Sequence, residues 1–163
     1  MTTMTHINKD IQFMKMVIHL AGEKMLAGEG GPFGAAIVQN GNLISQGWNR
    51  VTSTNDPTAH AEIVAIRKSC SLLKTFDLSG CVLYANCEPC PMCLGAIYWS
   101  GIKRVVYGAS RHDAEAIGFR DNFIYKELEL ANKERSIDMK QMLNSESLTS
   151  FKIWQELEEK IEY

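Results

Sequence analysis

The apolar positions change period several times along the chain, and each change marks an element. From Asn8, which can cap a helix, Ile11, Met14, Val17, Ile18, Ala21 and Met25 recur every three to four residues. Glycines at 28, 30 and 31 end that helix and Pro32 stops its continuation. Gly34–Gln39 and Asn42–Trp48 are short extended runs on either side of Asn40-Gly41, a hairpin signal because both turn positions accept positive φ. Asp56-Pro57 reads as an N-cap and first-turn proline, opening a helix that carries Ile63, Ile66 and Cys70 on one face and reaches about Leu73.

Residues 81–86 are apolar without alternation, as in a central strand covered on both faces. Residues 91–100 predict a helix closed by Gly101, and 104–107 another buried strand. Two shorter helices are expected at 111–117 and 122–130, then one more strand at 137–142. A final helix from about Leu148 places Phe151, Trp154, Leu157 and Ile161 at helical spacing. This order implies an α/β fold, a central sheet with helices on both faces. No repeat or long linker interrupts it, so one domain over residues 1–163 is expected.

Composition narrows the function classes. A chain of 163 residues is long enough for one proper core, and 45% apolar with 22% charged residues is ordinary for a soluble globular protein. The formal net charge of -2 gives no global attraction to phosphates and weighs against a nucleic-acid partner. No apolar run approaches the ~18 residues of a membrane span. Residues 1–10 carry no export or import pattern, so a cytoplasmic location is expected. The cysteines are Cys70, Cys81, Cys87, Cys90 and Cys93; their odd count and crowding suit a reduced compartment and a metal site better than disulfides.

The chemistry concentrates in His60-Ala61-Glu62 and Pro89-Cys90-Pro91-Met92-Cys93. One imidazole and two thiols supply the three protein ligands of a catalytic zinc, whose fourth position takes water. Glu62 is then available as the carboxylate that carries protons. Placed in the opening turns of their helices, His60 and Cys93 would meet unsatisfied N–H groups that favour thiolates. Other readings stay open at this level. A structural zinc would take Cys87 as its fourth ligand. An iron–sulfur run fits Cys87, Cys90 and Cys93 but lacks the closing Cys-Pro. A thioredoxin-like pair would leave His60 and Glu62 idle. Cys70, Cys81 and Cys87 read as packing residues, His6 as part of a tail, His19 as a helix residue and His112 as a solvated one.

The pattern H-x-E with P-C-x-x-C is the established signature of zinc nucleobase deaminases. Read together, residues 55–62 (Asn-Asp-Pro-Thr-Ala-His-Ala-Glu) and 88–93 (Glu-Pro-Cys-Pro-Met-Cys) resemble the cytidine and deoxycytidylate deaminase superfamily. The resemblance implies a three-layer α-β-α, cytidine deaminase-like fold with a central five-stranded mixed sheet, one Zn2+ per subunit, and a homodimer. Two branches share the motifs, the bacterial guanine deaminases and the tRNA-specific adenosine deaminases. Residues 30–35 (Gly-Gly-Pro-Phe-Gly-Ala), 87–99 and 115–127, with the ending Glu162-Tyr163, resemble the guanine deaminase branch more closely. On that resemblance Glu62 shuttles protons and His60, Cys90 and Cys93 hold zinc. Phe33 stacks on a purine base, Asn49 and Asp121 bond its polar edge, and Ala61, Trp99 and Tyr163 complete the pocket. It also implies that residues 143–163 are exchanged between subunits. The activity expected is hydrolysis of guanine to xanthine and ammonia; the alternatives are inosine formation in a tRNA anticodon and a zinc-stabilised binding module without catalysis.

Overall fold

The computed structural model describes residues 2–162. The elements run α1 (Thr2–Leu26), β1 (Gly34–Gln39), β2 (Asn42–Trp48), α2 (Val51–Thr54), α3 (Ala61–Leu73), β3 (Cys81–Cys87), α4 (Pro91–Trp99), β4 (Arg104–Ala109), α5 (Arg111–Ala116), α6 (Asp121–Glu129) and α7 (Asn144–Glu156), with a 3-10 turn at Asn132–Glu134. The strands lie in the order β2-β1-β3-β4. β1 is antiparallel to both β2 and β3, while β3 and β4 are parallel, joined by α4 as the crossover. The β1–β2 hairpin turns at Asn40 (φ 52°) and Gly41 (φ 78°), the conformation that the Asn-Gly pair favours.

Strand alternation builds the layers. Ala35 and Ile37 of β1, with Leu83 and Ala85 of β3, pack against Ala61, Ala65 and Ile66 of α3 and Ile97 of α4. Ala36, Val38 and Tyr84 point the other way and meet Phe13 and Val17 of α1. Because β1 and β3 are covered on both faces, neither shows polar alternation. Ile37, Val17 and Leu83 are fully buried; each such side chain contributes about 1.5–3 kcal/mol. Ser45 of β2 donates its hydroxyl to Ala65 O at 2.8 Å and meets Ser69 Oγ at 2.7 Å, fixing α3 over the sheet.

Several expectations are corrected. Among the described residues the sheet has four strands, not five: residues 137–142 are exposed and join no ladder. β4 is consequently an edge strand, half-exposed to exposed throughout, and not a buried one. α1 starts at Thr2, so Asn8 is an interior helix position. Its buried stripe is Phe13, Val17, Leu20 and Ala21, whereas Ile11, Ile18 and Met25 face outward. Asp56 caps no helix. Its carboxylate accepts Thr58 N–H at 2.8 Å and Thr58 Oγ1 at 2.7 Å, closing a local turn, and α3 begins only at Ala61. The chain divides into two compact units, Met1–Tyr125 and Lys126–Tyr163. Unit two holds the last turn of α6, the 3-10 turn and α7, with Glu127 bonded to Ser136 at 2.7 Å. No helix among the described residues is long and apolar enough to cross a membrane.

The start of α3 is set by a close approach to β2. A Cβ on Gly47 would lie 2.1 Å from Ala61 O and 2.6 Å from Ala65 N, both backbone atoms, so no side chain fits there. Gly47→Ala is expected to lower stability by about 2–3 kcal/mol through overpacking, read as a lower urea midpoint at unchanged slope. An unchanged midpoint would mean that α3 does not rest on β2 at this distance.

Candidate active site

His60 and Cys90 occupy equivalent places on two neighbouring helices. Each is the last extended residue before its helix, at φ -69°, ψ 155° and φ -67°, ψ 168°, and neither side chain caps its own helix. Both are therefore turned off the helix and available to a ligand. Pro91 starts α4 with no donor lost, since a first-turn N–H has no intrahelical acceptor. Cys93 follows in that first turn, and Ile63 of α3 packs on Cys90 and Cys93, holding the two helix starts together.

The donor atoms of His60, Cys90 and Cys93 all lie within 4.8 Å of one another. His60 Nδ1 and Cys90 Sγ are 3.5 Å apart. The Cys93 thiol bonds Cys90 and, with help from His60, holds the Cys90 thiol down at about 4; Cys93 is raised correspondingly. Two adjacent thiols, one of them held low, are a set whose protons a divalent cation displaces on binding. One imidazole and two buried thiols match the donor set of a catalytic zinc centre with a fourth position open.

Glu62 stands in the first turn of α3, 7% exposed. Burial pushes its carboxyl up to about 7, against bonds from its own backbone N–H and the Cys93 thiol. It stands outside the three-residue donor group. Cys87 is also outside that group: its thiol reaches Ser110 O at 3.7 Å, and burial pushes it up to about 11. No four-cysteine or four-ligand cluster is assembled from it among the described residues.

A cavity of about 360 Å³ brings His60, Glu62 and Cys90 together with Phe33, Asn49 and Asp121. Asn49 is buried, and its Oδ1 accepts the N–H groups of Gly31 and Val51, each at 3.2 Å. Its Nδ2 donors remain for a ligand. Gly30 lies against it so closely that a Cβ would sit 2.0 Å from Asn49 O. Asp121 opens α6, and burial raises its carboxyl, reinforced by the negative Cys90. Ala61, the first residue of α3, is buried in the core, and Trp99 is 70% exposed at the end of α4; neither lines the cavity. Tyr163 lies outside the described residues. His112 and His19 are exposed on α5 and α1.

The sequence reading missed Phe119 and Glu88. Phe119 lines the cavity and meets Phe33 edge-on, centroids 4.6 Å apart at 81°. No local pattern announces it, because Gly118 (φ 96°) turns the chain after α5 and the contact is long-range. Glu88 directly precedes Pro89-Cys90 and was findable from that position. It lines the cavity, and its carboxylate accepts Arg111 N–H at 2.9 Å. Tyr125 donates its hydroxyl to Pro89 O at 2.8 Å with Arg111 over its ring, which ties α6 to the cysteine loop.

Comparison with known proteins agrees with this geometry. The family model described as cytidine and deoxycytidylate deaminase zinc-binding region matches residues 7–109. Guanine deaminase from Bacillus subtilis is 51% identical over 151 residues, 93% of this chain and 97% of the relative. Its crystal structure superposes with a TM-score of 0.90 over the same shares. A guanine deaminase structure from Nitrosomonas europaea is 41% identical with a TM-score of 0.62, covering 66% of this chain and 62% of that one. A tRNA-specific adenosine deaminase from Haemophilus influenzae is 43% identical over 115 residues, 70% of this chain and 66% of the relative. With that family model matched over residues 7–109 and a relative 51% identical over 93% of the chain, the chain belongs to the cytidine and deoxycytidylate deaminase family.

Proposed function

We propose that this chain hydrolyses guanine to xanthine and ammonia, with one zinc ion per subunit held by His60, Cys90 and Cys93. The observation that carries the reading is a shared cavity in which Glu62, His60 and Cys90 face Phe33, Asn49 and Asp121. Those three residues supply what a purine base needs. An aromatic ring suits its apolar face. Asn49 Nδ2 can donate to its acceptors, and Asp121 can accept from its N–H groups, so that no buried polar edge is left unpaired.

Bound zinc supplies a Lewis acid that makes water acidic near neutral pH. Glu62 takes the proton from the attacking water as oxygen bonds to the amine-bearing C2 of guanine. It returns that proton to a ring nitrogen. Glu62 next takes the proton of the new C2 hydroxyl and passes it to the amine; the carbon–nitrogen bond breaks as the C2 carbonyl forms, and the amine leaves as ammonia. A carboxyl raised to about 7 by burial suits both halves of this transfer near neutrality. Phe33, Asn49 and Asp121 hold the ring so that C2 faces Glu62.

Among the described residues the cavity wall carries Glu62, Glu88 and Asp121 and no lysine or arginine, which favours a neutral base over a tRNA phosphate backbone. The identity and coverage of the Bacillus relative support the same branch. All five cysteines are free, in keeping with a reducing, cytoplasmic setting. We further propose a homodimer of single-domain subunits in which residues 143–163 are exchanged. Residues 126–162 contain no buried side chain, while Phe151, Ile153, Trp154 and Leu157 stand exposed. Such a surface is normally covered by a partner. Trp99 and Tyr163 would then serve the site across the interface.

Two measurements test the catalytic reading. Glu62→Gln is expected to retain zinc at one per chain while ammonia release from guanine falls by about 10²–10⁴-fold; near-normal turnover would remove Glu62 from its role. Chelation is expected to stop turnover and zinc to restore it. In a parallel screen, ammonia release should be found with guanine and not with a tRNA anticodon stem-loop. The reverse result would move the chain to the editing branch, and no release from any substrate would favour a binding module.

A further inference from the structure

Phe33 belongs to a loop gripped by a side chain that does not line the cavity. Asn86, next to last in β3, accepts the Gly34 N–H on its Oδ1 at 2.8 Å. Its Nδ2 donates to Pro32 O at 2.9 Å. The two bonds flank Phe33 on either side along the backbone. The β1–β3 ladder ends at Ala35 opposite Ala85, so residues 32–34 lie beyond its last rung, and the Asn86 carboxamide continues the pairing where the backbone stops. Asn86 shares the parity of Val82 and Tyr84, whose side chains pack on the α1 side of the sheet, away from α3 and α4. The loop is held from its other edge as Asn49 N–H bonds Phe33 O at 3.0 Å. Fixed there, the Phe33 ring packs against Phe119 with the two planes at 81°.

We infer that Asn86 is the positioning residue of the purine platform: by bonding both peptide groups that flank Phe33, it sets the ring's height in the cavity and thereby the affinity for the base. This rests on the reading that Phe33 stacks on guanine. The chemistry asks for an amide, because one end must accept and the other donate. Aspartate keeps the bond from Gly34 N–H but sets a carboxylate against Pro32 O. Alanine leaves the buried Gly34 N–H unpaired, which the loop relieves by moving. A residue that merely stabilised the fold would lower stability and leave the affinity for guanine as it is.

The test is a double-mutant cycle between Asn86→Ala and Phe33→Leu, with Asn86→Asp beside it, read as KM and kcat for guanine and zinc per chain. Asn86→Ala is expected to raise KM roughly three- to tenfold, the worth of one aromatic stacking contact, with kcat within about twofold and zinc retained. Asn86→Asp should move KM in the same direction, and it decides the matter if the alanine variant does not fold. Phe33→Leu should raise KM similarly. The double variant should be no worse than the worse single one, since both remove the same contact. Wild-type KM in Asn86→Asp, or effects that multiply in the double variant, overturns the inference alone. An unchanged KM in Phe33→Leu overturns the stacking reading, and the role of Asn86 in binding falls with it.

Discussion

The 3.5 Å approach of His60 Nδ1 to Cys90 Sγ is the contact around which the unit of residues 1–125 is arranged. It requires two helices from distant parts of the sequence to begin side by side, each with its last extended residue aimed at the same point. Helix beginnings suit this task. Their first N–H groups have no intrahelical acceptors, and the partial positive charge there favours a thiolate. Placing the ligands at helix starts, and not along helix sides, also leaves the first turn of α3 free to carry Glu62 into the same space.

That convergence depends on the sheet beneath it. α3 rests on β2 and β1 because Gly47 permits contact with backbone and because Ser45 bonds into the helix. α4 follows the C-terminal end of β3 directly, so Cys90 and Cys93 emerge where a parallel crossover leaves the sheet, the usual place for a binding crevice. The recognition side is built differently. Phe33, Asn49 and Asp121 come from a loop, a strand end and a helix start, Asn49 fixed by its bonds to the Gly31 and Val51 N–H groups and Phe33 by the bonds that grip its loop. The ligand group is rigid through the core, while the recognition group is held by individual hydrogen bonds such as those of Asn49 and Asn86.

Much of this was legible in the residues. Asn40-Gly41 announced the hairpin, the apolar run from Cys81 announced a covered strand, and the spacing of His60, Glu62, Cys90 and Cys93 announced the ligand group. What was not legible depended on pairing at a distance. Asp56-Pro57 had the composition of a helix start, but Thr58 offered the Asp56 carboxylate a nearer donor and the helix began four residues later. Residues 137–142 read as one more strand, yet a strand needs a ladder partner, and the local residues do not supply one. β4 read as buried because Val105 and Val106 are apolar, whereas its exposure follows from the missing neighbour. Phe119 and Asn86 carry no local signature, since both act through groups far away in the chain.

Zinc K-edge X-ray absorption on the purified zinc-loaded protein tests the central claim most directly. Two sulfurs at about 2.3 Å, one nitrogen at about 2.0–2.1 Å and one further light-atom ligand are the expected shell, the light atom belonging to water in the open position beside Glu62. A shell of three sulfurs and one nitrogen would contradict the account, because it would place Cys87 on the metal and close the position that hydrolysis requires.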